Sequence, residues 1–222
     1  MTSKRRTSTD ALLHHPITRG DVIAVGPHQV SCLDVEESAT TLLDLMRDRP
    51  IRLLYVDPPW GGSIYAHFRR EAQISERDYK RFQLQLVRLA AVLGQPIVLE
   101  MGKRWTPHWL TDLSTATTWP AASVEGVYFG NKPMDYLVCA PSRAQIDAVH
   151  DAIRGADDSV APGLAMDALG LREGDGVLDP CCGRGLTSHH AVERGLIFSG
   201  NEQTPYRAAA TLRFLRTGEK GA

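Results

Sequence analysis

The stretch Gly176–Thr187, with the sequence GVLDPCCGRGLT, decides the fold class. It opens with an apolar run ending at Asp179, which predicts a buried parallel strand. Gly183 and Gly185 follow, and glycines allow the backbone to turn tightly and to approach a ligand closely. We expect a helix over residues 187–194, whose N-terminal amides would face a carboxylate. The stretch therefore predicts a strand, a glycine-rich turn and a helix in succession.

A further strand is predicted directly after this helix, over residues 196–200, and Asn201 and Glu202 stand at its end. In dinucleotide-binding folds an acidic residue about 20 residues beyond the turn holds ribose hydroxyls. Glu202 follows Asp179 at a similar spacing. A G-x-G turn alone is a weak signal, but strand, turn, helix, strand and acid in this order favour a cofactor site.

A second polar motif, Asp57-Pro58-Pro59-Trp60, follows the apolar run Ile51–Val56, which predicts another buried parallel strand. The prolines fix φ and remove backbone N–H groups, so that nearby carbonyls remain as acceptors. A planar heterocycle with an exocyclic amine fits such a surface, because its ring can stack on Trp60 while its amine donates to Asp57 and to a backbone carbonyl. The alternative is a proline-rich turn that ends a strand, with Trp60 in the core.

Strands and helices alternate along the chain, which predicts an α/β fold with a doubly wound, mostly parallel sheet. We expect a flexible basic segment over residues 1–19 and a single domain over residues 20–222. Strands are predicted near 21–25, 29–33, 51–56, 96–100, 124–129 and 136–139, and helices near 36–48, 76–93, 105–113, 144–153 and 205–216. Ligands of such sheets bind outside the carboxyl ends of the strands, so both motifs and Glu202 should share one edge.

At these two motifs the chain resembles the permuted, beta-class-like DNA amino-methyltransferases, which use S-adenosylmethionine to modify adenine N6 or cytosine N4. In that family the D/S/N-P-P-aromatic motif precedes the D-P-x-x-G-x-G motif, as it does here. Many RNA methyltransferases and the protein-glutamine methyltransferases carry the cofactor loop first. The similarity covers most of residues 28–217. It implies a Rossmann-like methyltransferase fold with a circularly permuted order of motifs.

The resemblance also implies the residues of the site. Catalytic roles fall on Asp57, Pro58, Pro59 and Trp60. The implied cofactor-binding residues come from both halves of the sequence: Ser31, Cys32, Asp179, Pro180, Cys181, Gly183, Gly185, Thr187 and Glu202.

Some positions depart from the family pattern. Ser31 stands where Asp is usual, Ala161 where Lys is usual, and Arg184 where a small residue is usual. A degraded cofactor site is therefore an alternative. The retention of both turn glycines, Asp179 and Glu202 favours an active enzyme.

The resemblance favours adenine N6 in double-stranded DNA, because Asp leads the catalytic motif and Ser is commoner in the cytosine group. The alternatives are a cytosine-N4 DNA methyltransferase, an RNA adenine-N6 methyltransferase and a non-catalytic methyltransferase-like binding module. Only short loops, over about 61–75, 102–107 and 130–135, are left to recognise sequence. We therefore expect a short recognition site, low sequence specificity or help from the second subunit of a homodimer.

The net charge of −1 means that basic residues must be clustered to bind DNA, since phosphate contacts dominate affinity. The pairs Arg69-Arg70 and Lys103-Arg104 are the favoured phosphate contacts. For the basic residues between Arg77 and Arg88, a solvated helix face is favoured.

Composition favours a cytoplasmic enzyme. No run approaches the roughly 18 apolar residues of a membrane span, and Lys4-Arg5-Arg6 does not lead into an apolar stretch as in a signal peptide. Four cysteines suggest no disulfide framework. Cys181-Cys182 and His189-His190 match no usual zinc spacing, and methyl transfer from a sulfonium needs no metal, so we expect none.

Overall fold

The structure is a computed structural model that describes residues 17–46, 48–73, 77 and 79–218. Most of the N-terminal segment expected to be flexible, with Lys4-Arg5-Arg6, lies outside the described residues. Eight strands and eight helices occur within the described residues. The prediction of an α/β fold is confirmed.

The strands form one mixed sheet in the order β1-β2-β8-β7-β3-β4-β6-β5. The five strands from β2 to β4 in this order run parallel, and β1, β5 and β6 add antiparallel edges. The bounds are β1 Val22–Val25, β2 His28–Ser31, β3 Ile51–Val56, β4 Ile97–Met101, β5 Ala121–Tyr128, β6 Lys132–Cys139, β7 Gly176–Asp179 and β8 Ile197–Asn201.

Helices cover both faces of the sheet. Along β3, Leu53 and Tyr55 belong to one apolar core, and Leu54 and Val56 belong to another. Successive side chains of a strand point to opposite faces, so the two cores lie on opposite sides, as a doubly wound sheet requires. The helices are α1 Val35–Met46, α2 Gly62–Glu71, α3 Tyr79–Leu93, α4 Thr106–Thr117, α5 Arg143–Ile153, α6 Ala161–Ala168, α7 Leu186–Glu193 and α8 Pro205–Thr217.

Two of the three predicted recognition loops are wrong, because most of their residues lie in a helix or a strand. The loop over residues 61–75 is mostly the helix α2, which begins at Gly62 and buries Tyr65 and Arg69 one turn apart. The loop over residues 130–135 is mostly the beginning of β6. Strand β4 pairs with β6 only as far as Asp135, so Pro133 lies where β6 has a single partner strand, and its missing N–H is tolerated there.

The third loop, over residues 102–107, is shortened because α4 begins at Thr106. No helix in the described part of the chain is both long and apolar enough to cross a membrane.

Candidate functional site

A pocket of about 400 Å³ lies where β3, β7 and β8 end. Its size is within the range of small-molecule sites. Both sequence motifs contribute to its wall, as the edge rule for α/β sheets predicts. Its lining is Leu33, Val35, Asp57, Pro58, Pro59, Trp60, Ile64, Phe68, Phe82, Tyr128, Lys132, Pro180, Cys181, Gly183, Asn201, Glu202, Gln203, Thr204 and Arg207.

Asp57 presents its carboxylate to this pocket, and its side chain is exposed there. One carboxylate oxygen, Oδ1, accepts a hydrogen bond of 3.1 Å from the indole Nε1 of Trp60. The protein packed around the rest of the group raises the pKa of Asp57 to about 7, with a contribution from the negative charge of Asp158, while the Trp60 bond acts against the rise. Asp57 is therefore an acceptor whose ionisation changes near neutral pH.

The Asp-Pro-Pro-Trp turn is held by aromatic side chains. The Tyr79 hydroxyl donates to the carbonyl of Pro59 at 2.8 Å. The ring of Trp60 meets the ring of Tyr128 edge-on, with centroids 4.5 Å apart. Among the described residues none donates a hydrogen bond to the carbonyl of Pro58. That carbonyl remains as a second acceptor beside Asp57.

The glycine-rich turn after β7 requires glycine at two positions. Gly183 and Gly185 have φ of 54° and 92°, the left-handed region that side chains disfavour. A Cβ on Gly185 would lie 2.7 Å from the Ser188 hydroxyl and 2.8 Å from the Thr211 hydroxyl. Gly183 lines the pocket and has open space around it. At Gly183 the turn therefore exposes backbone atoms, without a side chain, to the pocket.

Asp179 stabilises this turn through hydrogen bonds. Its carboxylate accepts from the backbone N–H of Cys181 at 3.0 Å and from the Thr187 hydroxyl at 2.6 Å. Burial raises the pKa of Asp179 to about 7, against the lowering effect of these two bonds. Asp179 and Thr187 therefore fix the turn and the start of α7.

Glu202 also lines the pocket. Its two oxygens accept from the backbone N–H groups of Gly183, at 3.1 Å, and Thr204, at 2.7 Å. Burial raises its pKa, although the bonds from Thr204 lower it. Glu202 therefore ties the glycine turn to the beginning of α8 while its carboxylate faces the pocket.

The cofactor residues expected from the first half of the sequence, Ser31 at the end of β2 and Cys32 after it, do not line the pocket. Ser31 is fully buried and donates to the side-chain oxygen of Asn201 at 2.9 Å. Cys32 is buried in the apolar core. The side chains of Ser31 and Cys32 therefore do not contact this pocket, and Leu33, which follows them in the sequence, lines it instead. Asn201 takes the polar role, accepting from the Leu33 N–H and donating to the carbonyls of Leu33 and Pro180.

Several pocket residues were not expected from the sequence: Phe68, Tyr128, Lys132, Asn201 and Arg207. Arg207 bonds Glu71 at 3.0 Å, and its guanidinium lies 4.8 Å from the Phe68 ring centroid. Its position in the first turn of α8, five residues after Glu202, was the available signal. The sequence contains no comparable signal for Phe68 and Tyr128, because α2 and the full length of the β5–β6 hairpin were not predicted.

The basic pairs separate into different roles. Arg69 is 1% exposed and its guanidinium pairs with Asp34 at 2.8 Å and Glu36 at 3.1 Å. The prediction that Arg69 contacts phosphate is therefore wrong, because its guanidinium is buried and paired with these two carboxylates. Arg70 lies on the exposed side of α2.

Lys103 and Arg104 line a second, more open pocket beyond Trp60. This pocket has a volume of about 420 Å³, and Trp60 and Ile64 belong to both pockets. The Arg104 guanidinium lies 5.7 Å from the ring of Trp105. Lys103 pairs with the exposed Glu125 at 2.7 Å. These two cations therefore lie next to the main pocket.

The cysteine and histidine pairs near the turn do not converge. His190 bonds the carbonyl oxygen of Ser159, and His189 packs on Phe214. Within the described ranges no three His, Cys, Asp or Glu side chains form a potential metal site.

No protein-family model matches the sequence, and no curated protein matches it. Solved structures do match. The cytosine-N4-specific PvuII DNA methyltransferase aligns with a TM-score of 0.62 at 11% identity, over 92% of each chain.

Two further matches are structures of complexes with S-adenosylmethionine. The M1.HpyAVI complex gives a TM-score of 0.58 at 12% identity, over 85% of this chain and 98% of that one. TTHA0409 from Thermus thermophilus, named as a putative DNA modification methylase, gives 0.55 at 16% identity, over 85% and 93%. At these identities the likeness shows a shared architecture: the chain has the α/β fold of these DNA methyltransferases.

Proposed function

We propose that the protein transfers a methyl group from S-adenosylmethionine to an exocyclic amine of a DNA base, with N6 of adenine in double-stranded DNA as the preferred target. One observation carries the proposal. Asp57 and Trp60 share a single pocket with Gly183 and Glu202, so an amine acceptor and a cofactor cradle open onto the same space.

The residues of the pocket fit the cofactor. Gly183 offers bare backbone, and Glu202 offers a carboxylate suited to ribose hydroxyls. The surrounding protein raises the pKa of Asp57, and burial raises that of Asp179 and Glu202. A cationic ligand would favour the ionised forms of all three. The cofactor, when bound, supplies an electrophilic methyl group on a positively charged sulfonium.

The chain's own groups position the amine. The target base, turned out of the helix, stacks against Trp60. Its amine donates to the Asp57 carboxylate and to the Pro58 carbonyl. Because the lone pair of an exocyclic amine is delocalised into the ring, these two acceptors favour a pyramidal nitrogen with its lone pair free to attack. Catalysis is then positioning and electrostatic stabilisation, with Asp57 acting as an acceptor. The N–C bond would form as the methyl–sulfur bond breaks, and the proton that the methylated nitrogen loses would pass to solvent.

The order of the motifs supports the assignment to the permuted, beta-class-like DNA enzymes. Asp57 ends β3, whereas the glycine turn follows β7, so the catalytic motif comes first along the chain. The same order disfavours the protein-glutamine methyltransferases and the many RNA methyltransferases that carry the cofactor turn first.

Cytosine N4 is the second candidate. The specific observation in its favour is the likeness to the cytosine-N4-specific PvuII enzyme, which aligns over 92% of this chain. Asp at position 57 favours adenine.

The test is incubation with labelled S-adenosylmethionine and unmodified duplex DNA, with RNA in parallel, followed by nucleoside mass spectrometry. We expect labelled N6-methyladenine from DNA, at a rate about 10²–10³-fold lower when Asp57→Asn replaces the wild type. N4-methylcytosine alone would select the second candidate, and label in RNA alone would select an RNA enzyme. No labelled nucleoside from any substrate would contradict the proposal and favour a binding module.

A further inference from the structure

The tip of the β5–β6 hairpin presents an apolar ring to solvent beside the pocket. Phe129 is 70% exposed, the largest value among the exposed large hydrophobic side chains of the described residues. An exposed ring of this size is unfavourable in water, and neither apolar core of the described chain includes it. Its only ring neighbour among the described residues is Tyr128, at 4.3 Å between centroids.

The turn that carries Phe129 has a conformation in which an aromatic residue is unfavourable. Phe129 and Gly130 have φ of 48° and 73°, and consecutive positive φ values are those of a type I′ hairpin turn, whose first position prefers Asn, Asp or Gly. A bulky residue with positive φ is an outlier that adds strain. Phe129 therefore occupies a position where Asn would fold better.

Carboxylates on a neighbouring loop hold this turn in place. Asp158 Oδ1 accepts from the backbone N–H of Phe129 at 3.2 Å, and Asp157 Oδ2 accepts from that of Gly130 at 2.8 Å. The strained turn is thus fixed at both of its central residues, and the ring projects from a rigid support.

A continuous row of rings joins the tip to the active-site motif. Phe129 contacts Tyr128, and Tyr128 meets Trp60 at 4.5 Å between centroids. Trp60 and Tyr128 both line the pocket, together with Lys132 on the other arm of the hairpin. The exposed ring therefore stands immediately outside the space in which the target base would lie.

We propose that Phe129 inserts into the base stack of duplex DNA next to the target nucleotide and fills the space that the extruded base leaves. Taking a base out of the stack costs stacking and pairing energy, and apolar side chains wedged between base steps are a known way to open a duplex. A ring held rigidly at the pocket mouth replaces the missing stacking. This inference rests on the proposed function, and it makes Phe129 a positioning residue for duplex substrates.

The test compares Phe129→Asn with Phe129→Trp on unmodified duplex DNA and on the same DNA after heat denaturation. Asn suits the turn, so we expect Phe129→Asn to unfold at the same temperature as the wild type or higher. On duplex DNA it should lose about 10-fold or more in kcat/KM, because the duplex must then open unaided. On single strands, which need no opening, the rate of Phe129→Asn should stay within about twofold of wild type. Phe129→Trp keeps an aromatic ring and should retain wild-type activity on the duplex.

Equal losses on duplex and single-stranded DNA, or no loss on duplex, would overturn the insertion. If the wild type methylates neither form, the proposed function fails, and fluorescence anisotropy with labelled duplex and single-stranded oligonucleotides then decides the insertion by itself. Weaker binding of Phe129→Asn to the duplex alone would support it, and unchanged duplex binding would contradict it.

Discussion

Asp57 combines two properties that oppose each other. As an acceptor for the amine it must be ionised, yet the protein around it raises its pKa to about 7. Because the carboxylate is the active form, methyl transfer should rise with pH and level off above about 7. The midpoint should lie at or below that value, because the cationic cofactor favours the carboxylate. DNA binding depends on salt through the phosphates, so single-turnover rates are measured at fixed salt and saturating DNA. Asp179 titrates in the same range, so the comparison with Asp57→Asn separates the two groups.

The corresponding variant is Asp57→Asn, which keeps the shape and removes the charge. We expect a loss of about 10²–10³ in the single-turnover rate and the disappearance of the rise near pH 7. Cofactor affinity, measured by calorimetry, should stay within a few-fold of wild type, because Asp57 faces the base. Near-normal turnover would mean that the active site is elsewhere.

Glu202 should affect the cofactor and not the base. Replacing it by Ala removes a charged acceptor for the ribose and also the anchor of the Gly183 and Thr204 N–H groups. Charged hydrogen bonds contribute about 1.5–3 kcal/mol, so Glu202→Ala should weaken S-adenosylmethionine binding by roughly 10-fold or more in calorimetry. Glu202→Gln, which keeps an acceptor oxygen, should lose less. Equal affinity in all three proteins would refute the assignment.

At the scale of elements, Arg69 joins α2 to the segment that begins α1. Its guanidinium lies between Asp34 and Glu36, and removing one partner of a buried ion pair costs about 3–5 kcal/mol. Arg69→Ala should therefore lower the free energy of unfolding, measured with urea, by about that amount. The exposed neighbour Arg70→Ala is the control and should change stability little. A stable Arg69→Ala protein with weakened DNA binding would restore the phosphate role.

The glycine turn offers a matched pair of substitutions. Gly185 and Gly174 have similar φ values, 92° and 87°, but of the two only Gly185 has side-chain atoms within 3 Å of a Cβ position. Gly174→Ala should cost only backbone strain, about 1–3 kcal/mol. Gly185→Ala should cost more and lower cofactor affinity as well, because the turn must shift. Thermal unfolding and calorimetry measure the two effects, and equal stability losses would argue against the clash.

The parallel strands and the glycine turn could be predicted because their signals are local. Ile51–Val56 and Gly176–Asp179 are apolar runs, and Asp57 and Asp179 mark their ends. The helix α2 could not be predicted from the sequence, because Gly61-Gly62-Ser63 suggests a turn. The buried face of α2 also depends on ion pairs between Arg69 and acidic residues about 35 positions earlier.

The walls of the pocket divide in the same way. The residues Asp57–Trp60, Gly183 and Glu202 follow from sequence order and strand ends. Phe68, Tyr128 and Arg207 do not, because they approach across tertiary contacts that no periodicity encodes. Ser31 and Cys32 were expected to bind the cofactor, but both side chains are buried in the protein interior.

At the scale of the whole molecule, a chain with a net charge of −1 must bind DNA through a local patch. Arg70, Lys103 and Arg104 remain the candidates. Removing one phosphate contact should reduce the slope of log K against log salt by about 0.9. The triple Ala variant should therefore show a flatter slope and a higher KM for DNA, with unchanged cofactor binding. Arg143→Ala, on α5, is the control, and an unchanged slope in the triple variant would exclude the patch.

Asn201 connects β8 to the end of β2 through Ser31 and Leu33, residues about 170 positions earlier. Contacts between parts of a chain so far apart form slowly, because a long loop must close before they give any stability. During synthesis the parallel centre of the sheet lacks β7 and β8 until residues 176–201 have emerged from the ribosome. The unpaired edges of β2 and β3 are exposed during that interval, so folding in the cell should depend on protection of the nascent chain from aggregation.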